Sequence, residues 1–184
     1  KEILQASKEN RLYGIHGAVV DLIEVPTNYM TAIDTILGAQ AQYVVVPNDK
    51  VAREIIQWLK KENKGRATFL PIESIESRTI PNTLIKKLEQ QPGFIGIASD
   101  IVKTKEKFVK VIEHLMGNVI LTEDLHHASA IAQLTNRRYR IVTLEGDIVF
   151  PGGSMSGGAK RKTNQSLFTR EKEIILLSDK LDRF

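Results

Sequence analysis

The chain contains no cysteine in 184 residues, a single tryptophan, and only 6% aromatic residues. Without cysteine there is no disulfide framework and no thiolate metal site, and the composition fits a reducing compartment. The scarcity of aromatics limits base stacking as a binding device. No apolar run approaches the roughly 18 residues needed to cross a bilayer, and no signal peptide is visible. Histidine is also sparse, with four residues. His16 and His114 are isolated. His126 and His127 are adjacent, and neighbours on a helix point in different directions, so they make a poor metal pair. No catalytic carboxylate pair stands out, so neither a metal, a cofactor nor a small-molecule substrate is expected. Hydrophobic content of 42% and charged content of 26% are ordinary for a globular protein of one domain or two small ones.

Glycine, by contrast, is concentrated. Five of the twelve glycines fall between Gly146 and Gly158: Gly146, Gly152, Gly153, Gly157 and Gly158. Such a cluster sacrifices backbone entropy and packing, so it answers a specific need. Backbone N–H groups cradle an anion, or another backbone comes very close. A phosphate loop would require Gly-Lys-Ser/Thr after four intervening residues. Counting from Gly153 reaches Gly158, but Ala159 follows, Lys160 is one position late, and Arg161 stands where a magnesium-binding hydroxyl belongs. A dinucleotide fingerprint and a nucleophile elbow are absent too. Close approach of a second chain along an edge strand is the stronger reading.

The hydrophobic pattern predicts a mixed α/β fold. Ala18 to Val25 reads as a strand, Thr27 to Leu37 as a helix stopped by Gly38, and Tyr43 to Val46 as a strand. Asn48 or Asp49 caps a helix bearing Val51, Ile55, Ile56 and Leu59, and Ala67 to Leu70 is the next strand. A helix at Asn82 to Gln90, a strand at Phe94 to Ile97 and a helix at Thr104 to Met116, capped by Gly117, follow. Val119 to Leu121, a helix capped by Thr122, and Arg140 to Leu144 then echo the strand–helix–strand order seen about 75 residues earlier. Asp147 to Phe150 completes a hairpin through Glu145-Gly146. Two similar subdomains, 14–98 and 99–163, are therefore expected within a globular body at 14–163. Residues 1–13 and 164–184 read as truncated coiled-coil helices, the latter with a seam of Ile174, Leu177, Leu181 and Phe184. Lys1 in place of Met, and helices running off both ends, suggest a body inserted into something longer.

The formal net charge is +4. The window from Ala159 to Lys172 carries that same excess, led by Lys160, Arg161 and Lys162 beside the glycines. Lys60, Lys61, Lys64 and Arg66 form a second cluster around Gly65, where a solvated helix end gives the same pattern. Both are candidates for non-specific contact with nucleic-acid phosphate.

These residues carry a resemblance. Gly14-Ile15-His16-Gly17-Ala18-Val19-Val20-Asp21-Leu22-Ile23-Glu24-Val25, Tyr29 with Ala32-Ile33, Leu37-Gly38, Tyr43 to Val46, Leu144 to Asp147, and Pro151-Gly152-Gly153 to Gly157-Gly158 resemble the hinge domain of SMC proteins, the chromosome-organising ATPases, and look most like the bacterial homodimeric kind. The resemblance implies a non-enzymatic segment midway along a longer chain, between the arms of an antiparallel coiled coil, with ATPase heads elsewhere. It implies a ring-like homodimer with Gly146, Asp147, Gly152, Gly153, Gly157 and Gly158 at the subunit junction. It implies DNA binding, single strands favoured, and a cytoplasmic, nucleoid-associated location. A purely structural dimeriser, with no DNA contact of its own, stays open beside this.

Overall fold

The computed structural model describes residues 14–159. The expected arms at 1–13 and 164–184, and the run at Lys160 to Lys162, lie outside the described residues.

Two successive units share one element order. The first is β1 (Gly17–Ala18), α1 (Val19–Leu22), β2 (Ile23–Glu24), a 3₁₀ turn, α2 (Met30–Leu37), β3 (Val44–Val46), α3 (Asp49–Lys61) and β4 (Phe69–Pro71). After α4 (Asn82–Glu89), the second runs β5 (Phe94–Ile97), α5 (Ala98–Ile101), β6 (Lys103–Thr104), a 3₁₀ turn, α6 (Val109–Met116), β7 (Val119–Thr122), α7 (Leu125–Leu134) and β8 (Arg140–Thr143). The echo seen in sequence thus extends over the whole of each unit, and the second opens at Phe94. The hairpin strands β9 (Ile148–Val149) and β10 (Met155–Ser156) have no counterpart in the first unit.

The sheets repeat as well. One has the order β1-β3-β4, with β3 and β4 parallel. The other has the order β10-β9-β8-β7-β5, with β7 and β8 parallel and β8, β9 and β10 antiparallel in turn. A short antiparallel pair joins the units: Ile23 faces Thr104 and Glu24 faces Lys103. These are equivalent strands of the two repeats, so a local pseudo-twofold axis passes between them. The Thr104 hydroxyl donates across it to the Leu22 carbonyl at 2.7 Å.

The strand–helix–strand units form where sequence signals agree. The Asn48 side chain accepts from the Val51 N–H at 3.0 Å, and the Asp124 side chain accepts from the His127 N–H at 2.9 Å. Both caps hold the same extended conformation, with φ of −155° and −152°. The second helix is therefore capped by Asp124 rather than by the expected Thr122. Behind the caps, Val44, Val46, Ala52, Ile55 and Leu59 form one apolar layer, and Ile120, Ala128, Ile131, Ile141 and Val149 form its counterpart. A central core shared by both units includes Val20, Ile33, Val45, Ile112, Met116 and Leu121.

Two further local expectations are corrected. Ala18 to Val25 is not one strand. Val19 and Val20 are each 1% exposed, and a helical turn buries both neighbours in the core where an alternating strand would turn one away. The helix expected from Thr104 begins at Val109, because Thr104 is spent in β6. Gly117 caps α6 as expected, its N–H donating to the Glu113 carbonyl at 2.9 Å, with an ordinary φ of −69°. Its role is spatial: a Cβ there would overlap the Arg78 carbonyl oxygen.

Candidate dimer junction and nucleic-acid interface

The glycine cluster is built on the β9–β10 hairpin, in which Met155 faces Val149 and Ser156 faces Ile148. The Phe150 N–H donates to the Ser154 carbonyl at 2.8 Å, and the Gly153 N–H donates to the Phe150 carbonyl at 2.9 Å. The turn between them needs positive φ, 93° at Gly152 and 106° at Gly153. A further bond, from the Gly152 N–H to the Arg137 carbonyl at 2.8 Å, ties the turn to the end of α7.

The five glycines answer to different neighbours. A Cβ on Gly146 would lie 2.8 Å from Thr35 Oγ1 and 3.2 Å from Thr31 Cγ2, both on α2 of the first unit. A Cβ on Gly153 would lie 3.1 Å from Arg137 Cδ, and one on Gly157 would overlap the Asp147 carboxylate. Three of the five thus satisfy contacts within the chain. A Cβ on Gly152 or on Gly158 would meet nothing within 4 Å among the described residues. Asp147 has an internal duty too: its carboxylate accepts from the Gly158 N–H at 3.3 Å, while its N–H donates to Thr143 Oγ1 at 3.1 Å. It pins the chain where it leaves β10.

Strand β10 is the outermost strand of its sheet, and both of its residues are exposed. Met155 is 57% exposed, more than the other large exposed apolar side chains among the described residues. Sequence reading missed β10 as a strand. The signal was a lone apolar residue placed between two glycine pairs. In the sheet of the first unit, β4 pairs only with β3 and is likewise a sheet edge.

The two basic candidates separate. Lys60 and Lys61 lie in the last turn of α3, where positive charge suits the helix dipole. Lys64 and Arg66 follow, and all four are exposed. Lys60 and Arg66 border a hollow of ≈ 460 Å³ with Ile56, Leu59, Gly65 and Ala67. Residues 14–159 hold sixteen Lys and Arg against sixteen Asp and Glu, so the net positive charge of the chain resides wholly outside them.

The histidines are structurally engaged. His16 meets the Phe108 ring edge-on at 5.3 Å. Burial, aided by the Lys107 ammonium, holds its pKa below the ordinary histidine value. His114 Nδ1 lies 2.8 Å from the Glu76 carbonyl. His127 Nδ1 lies 2.8 Å from Asp124, whose pKa is lowered chiefly by the His127 backbone N–H. Among the described residues no group of three His, Asp or Glu is placed to hold a metal, and no helix is long and apolar enough to cross a membrane.

Comparison with known proteins gives one consistent picture. A family model described as the SMC proteins Flexible Hinge Domain matches residues 12–132. The chromosome partition protein Smc of Bacillus subtilis is 47% identical over 174 residues, covering 95% of this chain. That of Halothermothrix orenii is 42% identical over 176 residues. The chain spans 14% of each of those proteins. Among solved structures, an asymmetric dimer of the Geobacillus stearothermophilus SMC hinge domain superposes with a TM-score of 0.87 at 44% identity, over 99% of this chain and 72% of that one. The Pyrococcus furiosus SMC hinge gives 0.70 at 25% identity, over 89% and 82%. With its paired strand–helix–strand units and glycine-rich hairpin, the chain belongs to the SMC hinge family.

Proposed function

We propose that this chain is the homodimerisation hinge of a chromosome-organising SMC protein, and that it also binds DNA without sequence preference, single strands favoured. The observation that carries the dimer is a mismatch between the two repeats. The second unit extends its sheet beyond β8 with β9 and β10; the first stops at β4. The second unit therefore ends in an exposed outer strand, β10, and the first ends in a sheet edge at β4. Strand β10 of one copy lying on β4 of another, with the reciprocal contact, closes a twofold dimer with two junctions. The open surroundings of Gly152 and Gly158 leave room for the second backbone.

Sedimentation tests this directly. The parent is expected to be a dimer at micromolar concentration. Changing Gly152 and Gly158 to alanine should shift it toward monomer with little change in circular dichroism. A monomeric parent overturns the reading.

The DNA role rests on Lys160, Arg161 and Lys162, which follow the pinned exit from β10, and secondarily on Lys60, Lys61, Lys64 and Arg66. The expected location is cytoplasmic, on the nucleoid. The charge balance of residues 14–159 favours a second reading, in which the hinge only dimerises. Titration with a labelled single-stranded oligonucleotide separates the two.

A further inference from the structure

The β10–β4 pairing leaves the exposed Met155 side chain without an assigned place. Its direct cross-strand partner, Val149, is 1% exposed and packs in the apolar layer with Ala128, Ile131 and Ala132 of α7. Directly opposed residues in a sheet share a face, so Met155 projects on the α7 side. The β3–α3–β4 and β7–α7–β8 units are both parallel crossovers, and such crossovers share one hand. When β10 lies antiparallel to β4 of a second copy, the α7 face of one sheet therefore continues into the α3 face of the other. On that face, beside β4, lies the hollow of ≈ 460 Å³ lined by Ile56, Leu59, Lys60, Gly65, Arg66 and Ala67.

The second repeat shows what belongs at such a place. Its equivalent region, the end of α7 and the segment entering β8, is covered by the chain's own hairpin. The Gly152 N–H reaches the Arg137 carbonyl there, and Gly153 packs on the Arg137 side chain. The first repeat has no hairpin and keeps the hollow open, with Ile56 37% exposed at its rim.

We propose that Met155 of one copy seats in the Ile56–Leu59–Ala67 hollow of a second copy and anchors each junction. The inference rests on the dimer reading above and adds to it a specific side chain and its receptor. The flexible thioether suits an irregular apolar hollow. The stems of Lys60 and Arg66 close over it while their charged ends remain in water.

The absence of cysteine makes the test clean. Met155→Cys and Ala67→Cys variants are co-expressed and treated with a short bismaleimide. A covalent pair is expected from the mixture and from neither variant alone. In sedimentation, Met155→Ala and Ile56→Ala should each raise the dimer dissociation constant on the order of tenfold, and the double variant should fall short of the product. Met155→Leu should restore most of the affinity. A dimeric protein without the mixed crosslink overturns the anchor but leaves the dimer standing. A monomeric parent overturns both. Crosslinking of Met155→Cys with itself places β10 against β10 and overturns the anchor.

Discussion

Gly146 and Gly152 belong to one cluster yet face different surroundings. Gly146 has φ 90° and sits under Thr31 and Thr35, so a methyl group there pushes the two repeats apart. Gly146→Ala is expected to destabilise the fold by about 2–4 kcal/mol, combining overpacking with left-handed strain. Gly152→Ala, with φ 93° and open space, should cost the fold about 1–2 kcal/mol from strain alone. Urea unfolding at a protein concentration low enough to keep parent and variants monomeric measures both. Equal losses would show that the Thr31–Thr35 contact carries no weight. The concentration of glycine was plain in the sequence, and so was its demand for close approach. Which neighbour each glycine answers to was not, because Thr31 and Thr35 come from the other repeat, far upstream in the chain.

At the scale of elements, the two capped helices are the most predictable parts. Asn48 and Asp124 stand directly before amphipathic runs, and each cap bond is present. Asn48→Ala should lower stability by about 1 kcal/mol, with Asn48→Asp close to neutral, in urea midpoints. An unchanged midpoint for the alanine variant would mean that packing of Ile55 and Leu59 holds the helix without its cap. These units were readable because periodicity and flanking apolar strands point the same way, and at α3 the cap agrees; at α7 the expected cap, Thr122, lies two residues before the actual one, Asp124. The segment from Ala18 to Glu24 was not. Its β-branched residues favour a strand, but the central core claims Val19 and Val20 together, and burial overrides propensity. The β2–β6 pair escaped for a related reason: two-residue strands leave no periodicity to detect, and their pairing follows from how the repeats face each other. Strand β10 was hidden among glycines that lower strand propensity, and only its register with β9 reveals it.

At the scale of the whole molecule, the proposed dimer and DNA contacts draw on different physics. The proposed junction is apolar and backbone-mediated, whereas the proposed DNA contact depends on charge outside the balanced body. Changing Lys160, Arg161 and Lys162 to glutamate should weaken oligonucleotide binding across all sequences and flatten its salt dependence, by about 0.7 in slope per lost phosphate contact. The sedimenting mass should stay that of the parent. Undiminished binding at low salt would remove this run from the DNA site. The pairing of one outer strand with one open edge also has a kinetic consequence. Strands β4 and β10 are three and two residues long, so a single junction of the proposed kind would be weak. Once it opens, its two halves are still tethered through the other junction, at an effective concentration on the order of millimolar. In the proposed dimer, reclosure would then outrun separation, and one junction would open while the other keeps the two subunits together.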